Sequence, residues 1–69
     1  MRAITGKHGQ TIISSTAFQL YDRIQHENGI YDKDLTSSDK HTANELYVIG
    51  VLTKVKQDGQ LKYKVFTKD

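Results

Sequence analysis

Residues His41–Phe66 read HTANELYVIGVLTKVKQDGQLKYKVF, and two periodicities meet inside this stretch. Thr42-Ala43-Asn44-Glu45 has the S/T-x-x-E form of a capping box, with Thr42 as N-cap and Glu45 reaching back to it. Ala43, Leu46 and Tyr47 then follow at i, i+3, i+4, the spacing of one helix stripe. A start nearer Asp39 fits equally well. Ile49 precedes Gly50, a residue suited to the left-handed position that ends a helix. From there the period changes to two. Val51, Thr53 and Val55 alternate with Leu52, Lys54 and Lys56, and Leu61, Tyr63 and Val65 alternate with Lys62 and Lys64, so a helix runs into a β-hairpin turning at Asp58-Gly59.

The register of that hairpin can be argued from the side chains. A two-residue loop at Asp58-Gly59 pairs Val55 with Lys62 and mixes apolar and charged residues on one face. A three-residue loop, Gln57-Asp58-Gly59, with Gly59 in a bulge, pairs Val55 with Leu61, Thr53 with Tyr63 and Val51 with Val65. The expectation is the second. It sets Lys54 opposite Lys62, a like-charge pair that is mildly unfavourable alone.

Upstream, Ser14, Ser15 and Thr16 offer N-cap hydroxyls, and Ala17, Leu20, Tyr21 and Ile24 form an apolar stripe. Asn28-Gly29 supplies the stop, which predicts a helix over Ser15–Glu27. Ile30-Tyr31 reads as a short strand or a core anchor, and Asp32–Ser38 has room for one or two helical turns around Leu35. Residues 1–14, with Ile4, Ile12 and Ile13 around Gly6-Lys7-His8-Gly9, read either as strand and loop or as a mobile arm.

The 69 residues make one domain, near the lower limit for folding without staples, and the absence of cysteine excludes disulfides and thiolate metal sites. With 36% hydrophobic residues the chain is rich enough in apolar groups to form a core. Charge is distributed unevenly. Residues 1–20 hold Arg2 and Lys7 with no acid, residues 21–50 hold six acids against three bases, and residues 51–69 hold five lysines against two acids. The positive excess therefore lies at the two ends, chiefly in the hairpin. No stretch approaches the length of a membrane span, and MRAITGKHGQ lacks the apolar block of a signal peptide, so the expected setting is cytoplasmic.

Residues 41–66 resemble the closing part of a winged helix-turn-helix domain, in which a recognition helix ends on an apolar residue and a glycine turn and continues into a β-ribbon wing. Leu46 and Ile49, Gly50-Val51-Leu52, Gly59, and Tyr63 within LKYKVF carry the likeness, which extends over about Ser15–Phe66. It implies an α+β fold, a small winged helix-turn-helix of two to three short helices followed by a C-terminal β-hairpin wing. Residues 1–14 would then be the arm or strand, 15–50 the helical part and 51–67 the wing.

The resemblance further implies double-stranded DNA as partner, with the helix near 40–49 in the major groove and the wing along the phosphates. Lys40, His41, Thr42 and Asn44, with Tyr47 or Val48 one turn on, would face the DNA. Lys40 and Thr42 suit phosphates, and the Asn44 amide suits adenine. The wing would present Lys54, Lys56, Gln57, Gln60, Lys62 and Lys64, whose charge supplies salt-dependent affinity. The role implied is that of a small transcriptional regulator or accessory factor of the kind viruses and mobile elements of microbes encode. Specificity from so small an interface points to a homodimer or a protein partner.

Competing readings attach to the same residues. Lysines on an exposed hairpin also prevent edge-to-edge pairing with other chains, and the acidic middle segment with its tyrosines suits an interaction module or inhibitor acting on another protein. His8, His26 and His41 lack metal-ligand spacing, Asp32 and Asp34 lack a base partner, and Ser14–Thr16 are caps before they are nucleophiles. The expectation is a protein without catalytic activity, metal or cofactor.

Overall fold

The computed structural model describes residues 2–67 of the chain. It is an α+β fold that begins with strands: β1 (Arg2–Gly6) and β2 (Gly9–Ile13) form a hairpin, so residues 2–14 are strand and loop. Its alternation explains why neighbouring isoleucines part company. Ile13 shares a face with Ile4 and is buried, whereas Ile12 lies on the other face and is exposed. Helix α1 (Ser15–His26) follows. The Ser14 hydroxyl accepts the Ala17 N–H at 3.1 Å, and Leu20 and Ile24 point into the core. The helix ends in a Schellman arrangement: the Gly29 N–H donates to the Ile24 carbonyl and the Asn28 N–H to the Gln25 carbonyl, as Asn28-Gly29 predicts.

A two-residue strand, β3 (Ile30–Tyr31), leads into a single 3-10 turn, Asp32–Asp34, and then into α2 (Ser37–Val48). Here the expected cap is overturned. Thr36 caps α2, its hydroxyl accepting the Asp39 N–H at 3.1 Å, and Thr42 lies mid-helix. The segment Thr36-Ser37-Ser38-Asp39 repeats the capping pattern six residues upstream. No glycine or proline interrupts residues 37–42, so the earlier start adds backbone hydrogen bonds without the large penalty either would impose. Among the described residues there are two α-helices, with the 3-10 turn and the capping residues between β3 and α2.

The closing strands, β4 (Leu52–Gln57) and β5 (Gln60–Val65), join β3 in an antiparallel sheet of order β3–β5–β4. The three-residue loop is not formed. Asp58 and Gly59 have φ values of 55° and 76° and make a two-residue turn, with both central residues left-handed, the geometry that matches the twist of a tight ribbon. Val55 therefore pairs with Lys62, Lys56 with Leu61 and Lys54 with Tyr63.

The apolar accounting that favoured the longer loop treated Val51 as a strand residue. In the structure Val51 precedes β4 and is buried through the turn that ends α2, while Leu52 takes the inward position. Leu52, Tyr63 and Ile30 cover the helices, and Val55 faces outward, 36% exposed. Lys54 and Lys62 consequently lie on opposite faces of the sheet and are not the repelling neighbours expected.

The core gathers Ile4, Ile13, Leu20, Ile24, Ile30, Leu35, Ala43, Leu46, Val51, Leu52 and Tyr63. Its parts meet at Gly50. The N–H groups of Gly50 and Val51 donate to the Tyr47 and Leu46 carbonyls, ending α2, and the Gly50 carbonyl accepts the Lys7 N–H at 2.9 Å, seating the tip of the β1–β2 hairpin. A side chain at Gly6 would stand 2.6 Å from the Gly50 oxygen. Among the described residues no helix is long and apolar enough to cross a membrane.

Two outcomes follow for denaturant unfolding. Gly6→Ala should lower stability by about 1–3 kcal/mol, because its contact is with backbone that cannot swing away. Thr36→Ala should cost about 1 kcal/mol, and Thr42→Ala should show no cap loss; the reverse order would restore the downstream helix start.

Candidate nucleic-acid interface

Lys54 is the residue around which the site is built. The two-residue turn puts it on the α2 side of the sheet, opposite Tyr63 in the ladder. Its ammonium stands 4.4 Å from the centre of the Tyr47 ring, 5.6 Å from that of Tyr63 and 3.5 Å from the Asn44 side-chain oxygen. Two ring faces and an amide dipole thus hold one cation at the junction of α2 and β4. The arrangement fixes where the charge sits, since a lysine stem otherwise sweeps a wide volume.

Along α2, Lys40, Asn44 and Tyr47 recur at i, i+4, i+7 and share the side that borders this junction. The Lys40 ammonium reaches the Asp32 carboxylate at 3.8 Å. His41 and Glu45 occupy the adjacent, solvent-facing side and pair with each other at 2.8 Å, with exposed Val48 one turn on. Thr42 turns elsewhere. It lines a groove of about 390 Å³ between β2 and the two helices, with Ile12, Ile13, Ala17, Leu46 and Ile49.

The ribbon divides the remaining residues. Lys56 continues the face of Lys54 toward the hairpin tip, where Gln57 and Gln60 pair across the exposed turn. Lys62 and Lys64 leave this surface for the outer face, where Lys62 pairs with Tyr31 of β3. Of the ten residues singled out in the sequence, Asn44 and Lys54 are in contact, Lys40 and Lys56 extend the same side, Gln57 and Gln60 lie at the hairpin tip with the parity of the outer face, and His41, Thr42, Lys62 and Lys64 do not join it. Sequence reasoning missed the tyrosines as cation holders. The signal was present in the i+3 step from Asn44 to Tyr47, but it needs the correct register to bring Lys54 above them.

The carboxylates of the acidic middle segment are largely engaged within the chain. Asp39 lies 3.6 Å from the Arg23 guanidinium, Asp32 holds Lys40, Glu45 holds His41, and Glu27 lies 3.9 Å from Arg23. These are exposed pairs of small individual worth, and their carboxylate side chains stay 32–65% exposed. The His26 Nδ1–H donates to the Asp22 carbonyl, 2.9 Å away within its own helix. Among the described residues no group of three His, Cys, Asp or Glu side chains is placed to hold a metal ion.

Burial pushes the Tyr63 hydroxyl above its ordinary pKa of 10.0, and the Asp32 carboxylate adds to this by opposing a phenolate. Burial also raises Tyr21. Comparison of the chain with protein-family models, with characterised proteins and with solved structures found no match.

Because the folded state retains the Tyr63 proton longer than the unfolded chain, its stabilising contribution is complete below pH 10.0 and is lost as pH rises through the higher folded value. The thermal midpoint should therefore fall on the alkaline side of pH 10.0, and Tyr63→Phe should reduce that fall. Identical alkaline profiles for the two proteins would refute the assignment.

Proposed function

We propose that this chain is a non-enzymatic DNA-binding protein, a small transcriptional regulator or accessory factor, that engages double-stranded DNA through α2 and the α2 side of the β4–β5 ribbon. The observation that carries the reading is the Lys54 junction. A fixed cation and the Asn44 amide stand side by side on two adjacent elements, one a helix of the width a major groove admits and the other a protruding two-stranded ribbon.

Asn44 offers the paired donor and acceptor that match the adenine edge, and Lys54 and Lys56 supply charge to the phosphates that flank it. The likeness of residues 41–66 to a winged helix-turn-helix domain supports the same orientation, a helix followed at once by a glycine turn and a ribbon. The strands that precede α1, and the single 3-10 turn Asp32–Asp34 that stands between β3 and α2 in place of a longer helix, set this architecture apart from that family's usual order. The competing reading, a protein-binding module acting through the acidic middle segment, would require a partner to replace the exposed pairs those carboxylates make with Arg23, Lys40 and His41.

Fluorescence anisotropy with a labelled random duplex at two salt concentrations tests the proposal. Wild-type protein should bind at low salt and weaken steeply as salt rises, and Lys54→Gln should flatten the salt slope by about 0.9, the share of one phosphate. Asn44→Ala should leave non-specific affinity in place and reduce discrimination among sequences. Failure of the wild-type protein to bind duplex at low salt would end the proposal.

A further inference from the structure

The face of the sheet turned away from the helices carries chemistry that the duplex reading does not use. Across the three strands Tyr31, Lys62 and Val55 form one row, and Lys64 and Thr53 form the next. Two cations lie over the Tyr31 ring, with the Lys62 ammonium 5.1 Å and the Lys33 ammonium 5.8 Å from its centre, so a base stacking on this ring would displace them toward its own phosphates. Beside this row lies a groove of about 460 Å³, lined by Lys64, Val55, Thr53 and Phe66 of the closing strands and by Asn28 and Gly29 at the end of α1.

The charge on this face is not paired among the described residues. Among the described residues Lys33, Lys62 and Lys64 form no ion pair, and the nearby Asp32 carboxylate is directed to Lys40. The stems of Lys62 and Lys64 are also held close to the backbone: a side chain added at Gly29 would come within 2.6 Å of the Lys62 Cε and 3.1 Å of the Lys64 Cγ. The two charges therefore have a defined origin on the face.

We infer that this outer face binds single-stranded nucleic acid, as a surface separate from the α2 side. Three unpaired lysines select a polyanion, and the placement of Tyr31 and Phe66 among them selects one with free ring faces. Bases of a single strand can stack on such rings while its phosphates meet the lysines, and stacking of this kind tolerates any sequence. A duplex buries its base faces and cannot use the rings. An acidic peptide would use the lysines and be indifferent to the tyrosine.

The inference is independent of the duplex proposal, and one set of anisotropy titrations separates the two. The probes are labelled oligothymidylate, a random duplex and an oligoglutamate peptide, with circular dichroism confirming the fold of every variant. Wild-type protein should bind oligothymidylate at low salt. Lys62→Gln/Lys64→Gln should lower the magnitude of its salt slope by roughly 1.4, two phosphates at about 0.7 each, and Tyr31→Leu, which keeps the apolar bulk, should weaken it roughly tenfold. Neither change should alter duplex binding, whereas Lys54→Gln should alter duplex binding and spare oligothymidylate.

Absence of oligothymidylate binding overturns the inference. So does equal weakening of both nucleic acids by the outer-face variants, which would mean one shared surface. Oligoglutamate binding that matches oligothymidylate and ignores Tyr31→Leu would assign the face to an acidic peptide instead.

Discussion

At Gly50 one residue closes α2, receives the N-terminal hairpin and launches the sheet. Its N–H completes the helix terminus, its carbonyl accepts from Lys7, and its φ of 93° sends the chain toward β4 with Val51 buried behind it. A residue with a Cβ would be strained at that φ and would press on His8 as well. The depth at which Val51 and Leu52 enter the core, the face on which Lys54 emerges and the seat of the β1–β2 hairpin all follow from this junction. The core itself is small, so its geometry is set by how these few connections aim the elements as much as by hydrophobic area.

Much of the architecture was legible in residue spacing. The α1 stripe, its Ser14 cap and its Asn28-Gly29 stop are local signals, and local backbone chemistry decided them. The closing hairpin was equally plain, and Ile30-Tyr31 admitted a strand. Two features were hidden for physical reasons. Thr36–Lys40 is wholly polar, so no apolar stripe marks the first turn of α2, and only the uninterrupted run of helix-tolerant residues argues for it. The loop length depended on Val51: counted as a strand residue, it reverses the parity of the whole ribbon.

That parity decides what the lysines are for. Asn44 and Lys54 were both legible as candidates, but their contact and the tyrosines around it exist only in the observed register. The same register carries Lys62 and Lys64 to the far side and sets them beside Tyr31. Alternating lysines that looked like a single charged strip are two separate groups, each with its own aromatic partners. Protection of the β4 edge against pairing with other chains remains a role that Lys54 and Lys56 fill whatever else they bind.

The sheet order also distributes the entropy of folding unequally. Both hairpins and both helices are built from neighbours in sequence, and such elements form on microsecond timescales. The pairing of Ile30 with Tyr63 is different, because it closes a loop containing all of α2 and most of the ribbon. Only two residues of β3 reward that closure with ladder hydrogen bonds. The chain must therefore secure its longest-range strand pairing through its shortest strand, and the apolar contacts of Ile30 and Tyr63 with α1 and α2, rather than the ladder, have to bear the loop entropy.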